Sequence, residues 1–137
     1  MNEKKNLTTE ETFALAVQNH QKNNLQVAKN LYNETLKKNS DHVYAHNNLG
    51  IVLNELGEYQ KAINCYEKAI QIQPNYAAAH YNLGIVLNEL GEYQKAINCY
   101  EKAIQIEPNY VKAYNNLGKT VEGLGENQKA VNCYEKA

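Results

Sequence analysis

His42 and His46 stand four residues apart, a spacing that sets two imidazoles on one helix face. Imidazole nitrogens bind zinc, yet two of them alone make an incomplete site. His20 has no such helical partner. The three cysteines, Cys65, Cys99 and Cys133, follow one another at intervals of 34 residues. Their number is odd and they form no C-x-x-C, so neither a disulfide framework nor a zinc site is indicated. The acids are mostly Glu at recurring places, such as Glu55/Glu89 and Glu67/Glu101, which reads as solvated helix faces. Acid–base or nucleophilic catalysis needs dissimilar groups within hydrogen-bond reach. These residues instead place the same group at regular intervals. No catalytic constellation, metal site or cofactor is expected.

The composition narrows the partners. The 137 residues make one modest folding unit with a net charge of −1, and all 14 basic residues are Lys. Bidentate phosphate recognition leans on Arg, and nucleic-acid binders carry a basic face, so no nucleic acid is expected. No apolar run approaches the roughly 20 residues that span a bilayer, so no membrane partner is expected either. The start, MNEKKNLTTEETFALAV, is polar for longer than a signal peptide allows, which points to a cytoplasmic chain.

What must position these residues is a repeat. Residues 47–70 and 81–104 read NNLGIVLNELGEYQKAINCYEKAI and YNLGIVLNELGEYQKAINCYEKAI. A 34-residue period divides the chain into a diverged copy at 9–42, copies at 43–76 and 77–110, and a truncated copy at 111–137. Residues 1–8 are expected to be a flexible tail. In the third copy, Ala79, Leu83, Val86, Leu87 and Leu90 form the stripe of an amphipathic helix, which Gly91 ends. Ala96, Ile97, Tyr100, Ala103 and Ile104 form a second stripe, closed by Pro108. Asp41, Asn75 and Asn109 stand where a side-chain oxygen caps the next helix. Each copy is thus helix, tight turn, helix. Gly84 lets the partner helix approach, and Tyr100 fills the space between Ala96 and Ala103. One hairpin cannot bury two apolar stripes, so neighbours must stack.

Leu83-Gly84, Leu87, Gly91, Tyr93, Ala96, Tyr100, Ala103 and Pro108 together resemble the tetratricopeptide repeat. Leu49, Gly50, Leu53, Gly57, Tyr59, Ala62, Tyr66, Ala69 and Pro74 repeat the pattern, and so do Leu117, Gly118, Val121, Gly125, Ala130, Tyr134 and Ala137. The first copy keeps Leu15, Ala16, Leu25, Ala28 and Tyr32 but departs at Asn19, Thr35 and Ser40. Thr12, His46, His80 and Tyr114 occupy the slot often held by Trp, which makes His46 and His80 half-buried packing residues. The resemblance implies an all-α fold, an α-solenoid of stacked hairpins in a right-handed superhelix. It further implies a non-enzymatic module that binds a protein or peptide in a concave groove lined by each hairpin's first helix.

On that pattern Asn48, Asn82 and Asn116 precede each Leu-Gly pair inside the groove. An amide offers both a donor and an acceptor, which matches one peptide unit. Hairpins ~10 Å apart space such amides by about three residues of extended chain at ~3.3 Å each. An Asn ladder can hold a peptide by its backbone, as in the similar groove of the O-GlcNAc transferases. Tyr44, Tyr81 and Lys112 are assigned to selectivity, with Ile51 and Ile85 as an apolar floor, and Asn47 and Asn115 are further peptide-binding candidates. The dicarboxylate clamp of chaperone-binding members is not reproduced. Its positions hold Phe13, Asn47, Tyr81 and Asn115, then Val17, Ile51 and Ile85, with Lys only at Lys119.

The array stops inside a second helix, which would leave Ala130, Val131 and Tyr134 uncovered. That suggests a fragment, with fraying over residues 128–137 or end-to-end self-association through the uncapped helix. The rival readings are a substrate-recruiting arm of a larger enzyme, such as a glycosyltransferase, and a self-assembling scaffold.

Overall fold

The computed structural model describes the backbone of residues 6–136 and the side chains of residues 6–125. Among the described residues there are seven helices and no strand. They fall into two compact units, Met1–Pro74 and Asn75–Ala137.

The first unit opens at Thr8. Its hydroxyl accepts the Glu11 N–H at 3.1 Å, while the Glu11 carboxylate accepts the Thr8 N–H at 2.9 Å. This capping box satisfies two donors that a helix start leaves unpaired. It begins α1 (Thr9–Gln21). The tail expected over residues 1–8 is therefore anchored at Thr8, and the Leu7 carbonyl also accepts from Lys38 Nζ at 2.6 Å. Residues 1–5 of that tail lie outside the described residues.

Helices α2 (Leu25–Lys38), α3 (Val43–Glu55) and α4 (Tyr59–Ile72) complete two hairpins, with α2 packed against both α1 and α3. Each turn needs one residue in the left-handed region. Gly57 supplies it between α3 and α4 with φ 80°, and Asn23 does so between α1 and α2 with φ 64°. The Glu58 N–H then reaches back to the Leu53 carbonyl at 2.8 Å, and the Asn24 N–H to Asn19 at 2.8 Å, pairing carbonyls the helix ends would otherwise orphan. Ala16, Ala28, Tyr32, Ala45, Leu49, Val52, Leu53, Ala62, Tyr66 and Ala69 form the buried interior.

The second unit pairs α5 (Ala77–Glu89) with α6 (Tyr93–Ile106) around Gly91, φ 82°, and packs α6 on α7 (Val111–Lys136). A cluster of Ala77, Ala103 and Ala113, with Tyr81, Ile104, Ile106 and Tyr110 against it, joins the three helices. The proposed reason for Gly84 holds. A Cβ built there would lie 2.6 Å from Tyr100 Cε1, and at Gly50 the same atom would lie 2.5 Å from Tyr66 Cε1. Both rings are buried.

Three sequence expectations are corrected. The helix caps fall one residue later than Asp41 and Asn75: α3 is capped by His42, whose Nδ1 accepts the Ala45 N–H at 3.1 Å, and α5 starts from Tyr76 without a side-chain cap. Similarly, the Tyr110 carbonyl accepts the Ala113 and Tyr114 N–H groups that begin α7. Asp41 and Asn109 are spent in the turns at 40–41 and 108–109, so the next residue meets the helix. Leu90 belongs to the stripe by spacing but is 43% exposed, because it is the C-cap where α5 ends and the chain turns at Gly91.

The third correction concerns the fourth copy. It forms no hairpin: α7 runs unbroken through Gly123 and Gly125 to Lys136. Glycine permits a left-handed turn without requiring it. Where packing does not draw the chain back, the i→i−4 hydrogen bonds simply continue. The side chains of Ala130, Val131 and Tyr134, and the fraying expected at 128–137, lie outside the described side chains. Among the described residues no helix is long and apolar enough to cross a membrane.

Candidate functional site

The residues assigned to ligand contact sit on α3, α5 and α7, and the two units treat them differently. In the first unit, Asn48 is half-buried and its side chain is hydrogen-bonded to the Tyr32 hydroxyl. Tyr32 is fully buried, and burial pushes its pKa up to about 12, so it is a neutral hydroxyl at any physiological pH. His20 approaches the same hydroxyl, with Nδ1 at 3.2 Å, and its Nε2 lies 3.1 Å from Glu55 Oε1. His20, without a partner by helical spacing, thus has one within its hairpin and one on α3. Tyr44 is half-exposed and meets the His42 ring edge-on at 6.2 Å between centroids. Ile51 is half-buried. Asn47, read from the sequence as a groove residue, is only 4% exposed, so its amide is not free to meet solvent.

In the second unit, Asn116 Nδ2 donates to the Tyr81 hydroxyl at 2.9 Å. Tyr81 is itself held by ring contacts, 5.1 Å from Tyr110 and 6.0 Å from Tyr100 between centroids. Burial raises the pKa of both Tyr100 and Tyr110 to about 12, with the neighbouring Tyr81 adding to each shift. A hydrogen bond to Thr120 partly opposes the shift at Tyr100. Thr120 is buried and donates to Asn88 Oδ1 at 3.0 Å. Asn82 and Ile85 are half-buried, whereas Lys112, Asn115 and Lys119 are exposed. The structure therefore joins Tyr81 and Asn116 into one pair and leaves Lys112 and Asn115 as free surface.

Sequence reasoning missed Tyr32, His20, Glu55 and Tyr110. One signal was present: Tyr32 precedes Asn48 by 16 residues, and Tyr100 precedes Asn116 by the same interval. It was a partial guide, because Asn116 bonds Tyr81 whereas Tyr100 bonds Thr120.

The histidines do not converge. His42 Nδ1 serves as a cap acceptor, its Nε2 lies 3.3 Å from Glu10 Oε2, and His46 Nε2 pairs with the Ser40 carbonyl at 2.9 Å. His46 is half-buried in the slot assigned to it, and burial lowers its pKa. Among the described residues no group of three or more His, Cys, Asp or Glu is placed to hold a metal. A hollow of about 330 Å³ in the first unit is lined by Lys29, Asn33, Leu49, Leu53, Lys61, Asn64 and Cys65. At its edge Glu58 meets Lys29 at 3.1 Å and Lys61 at 3.3 Å, which holds its carboxyl below the usual range. Burial pushes the Cys65 thiol to about 11, so it stays protonated and unreactive at neutral pH.

A family model described as tetratricopeptide repeat matches residues 41–109 and 75–137. Among solved structures, the chain is similar to MamA at 30% identity and a TM-score of 0.82, covering 93% of this chain and 75% of that one. It is similar to the first such domain of Spaghetti (RPAP3), bound to the HSP90 peptide SRMEEVD, at 18% identity and a TM-score of 0.84. That match covers 86% of this chain and 94% of the other. An O-GlcNAc transferase mutant from Thermobaculum terrenum matches at 24% identity and a TM-score of 0.80, over 88% of this chain and 23% of the enzyme. No curated protein matches the sequence.

Proposed function

The chain belongs to the tetratricopeptide repeat family, and from that premise we propose that it is a protein-interaction module that grips an extended peptide through side-chain amides. One observation carries this reading: Asn116 donates one N–H to Tyr81 at 2.9 Å, and Tyr81 is braced by two further rings. An amide fixed in this way retains an N–H and a carbonyl oxygen for a peptide unit. It also loses little rotamer freedom on binding, which lowers the cost of association. In the first unit a hydrogen bond between Asn48 and the buried Tyr32 hydroxyl supports the same reading.

The ligand surface of the second unit then comprises Asn82 and Ile85 on α5 with Lys112, Asn115 and Asn116 on α7. In the first unit, Tyr44, Asn48 and Ile51 on α3 take the corresponding roles. The solved relative bound to SRMEEVD is similar in fold alone. Here the clamp positions hold Phe13, Asn47, Tyr81 and Asn115, so a tail recognised chiefly by its carboxylates is a poor fit. Backbone recognition with modest side-chain selectivity suits these residues better.

A peptide array identifies a binder, and titration then compares Asn82→Ala, Asn116→Ala and Tyr81→Phe with the parent. Each amide loss removes a hydrogen bond worth ~0.5–1.5 kcal/mol, which weakens binding roughly 2- to 10-fold. Tyr81→Phe keeps the ring packing and frees Asn116, so it weakens binding by less. Unchanged affinity in both Asn variants would refute the amide mechanism.

A further inference from the structure

Gly50 and Gly84 face a tyrosine from the hairpin's second helix, Tyr66 and Tyr100, with a built Cβ only 2.5 and 2.6 Å from the ring. Gly118 occupies the same place in the fourth copy, yet no described atom lies within 4 Å of its Cβ position. The tyrosine that matches it by period is Tyr134, 16 residues further along one unbroken helix. At 1.5 Å per residue that is ~24 Å away along the axis, out of reach. Among the described residues the slot at Gly118 is thus unfilled, and the tyrosine whose counterparts fill such slots lies further along the same helix.

The rest of the face agrees. Val121 is 49% exposed, while its counterparts Leu53 and Leu87 are 3% and 8% exposed. Tyr114, Gly118 and Val121 fall at i, i+4 and i+7, on one side of α7. Meanwhile residues 128–136, QKAVNCYEK, differ from 94–102 of α6 only at Val131 for Ile97. The segment therefore has the sequence of a helix built to cover such a face, and in this structure it points along α7 instead of back over it.

We propose that two copies of this chain exchange their C-terminal half-helices. Residues 126–136 of one copy lie across Tyr114, Gly118 and Val121 of the other, and Tyr134 seats against Gly118 of its partner. Such an interface is isologous, each copy giving and receiving the same element, and it closes as a two-fold dimer. The straight passage through Gly123 and Gly125 is what makes exchange preferable to self-closure, because a chain folded back on itself needs the left-handed turn seen at Gly57 and Gly91.

Light scattering across a dilution series tests this directly. The expected mass is near twice 15.6 kDa at high concentration, falling on dilution. Gly118→Ala is harmless to the open chain, whose slot is empty, but it blocks the incoming tyrosine, so the dimer should be lost with helicity retained. Gly125→Ala favours the straight helix and should keep or tighten the dimer. A parent that stays monomeric throughout overturns the proposal. So does a dimer indifferent to Gly118→Ala, or one abolished by Gly125→Ala, since the latter would be built from closed hairpins.

Discussion

Replacing Gly84 by Ala sets two effects of known size against each other. Helix propensity favours Ala over Gly by about 1 kcal/mol at an interior position. Against this, the new methyl would sit 2.6 Å from Tyr100 Cε1, 2.8 Å from Cδ1 and 3.1 Å from Cζ. All three atoms belong to a rigid ring that is 1% exposed and hydrogen-bonded through its hydroxyl to Thr120. The ring cannot swing away as the end of a flexible side chain would, so α5 and α6 must separate. Overpacking of this kind costs ~1–3 kcal/mol, and the depth of overlap argues for the upper end. The net loss is then about 2 kcal/mol. With a urea slope of ~1–3 kcal/mol per molar, the midpoint falls by roughly 1 M. Equilibrium urea unfolding followed by circular dichroism reads this, with Gly118→Ala as the matched control at high dilution. There nothing opposes the propensity gain, and the midpoint rises or stays level. A rise for Gly84→Ala as well would refute the argument that the ring requires the glycine.

Two further predictions concern the first unit. Burial is the largest cause of the lowered His46 pKa, so the folded state binds its proton less readily than the unfolded chain. Its stabilising share is complete above the ordinary value of 6.5 and is lost as pH falls through the lower folded value. An imidazole NMR titration should give a midpoint below 6.5, and a midpoint at or above it contradicts the burial argument. Thr8→Ala removes the reciprocal cap of α1 and should cost ~1 kcal/mol, seen as a lower urea midpoint with the slope unchanged. Thr8→Ser should retain most of that stability.

Most of the secondary structure was legible because it depends on short-range rules. The 34-residue period, the apolar spacing and the glycines of the turns predict α3 to α6 closely, and the left-handed φ values at Gly57 and Gly91 follow from their positions. The fit of Tyr100 against Gly84 was also readable, since a large residue repeating opposite a small one implies contact. The binding surface was less legible. Asn47 and Asn116 both sit on helices that first-helix logic assigns to the groove, yet one is buried and the other is held by Tyr81.

By itself, then, the sequence determined that the chain is a set of helices in repeating pairs, because hydrophobic periodicity and turn chemistry act within a few residues of one another. Only the tertiary structure decided that His20 bridges Tyr32 and Glu55, and that the fourth copy stays a single unbroken helix. Each of those outcomes turns on the distance between residues far apart in the chain, or on whether packing outweighs a helix's own hydrogen bonds. A one-dimensional pattern carries neither quantity.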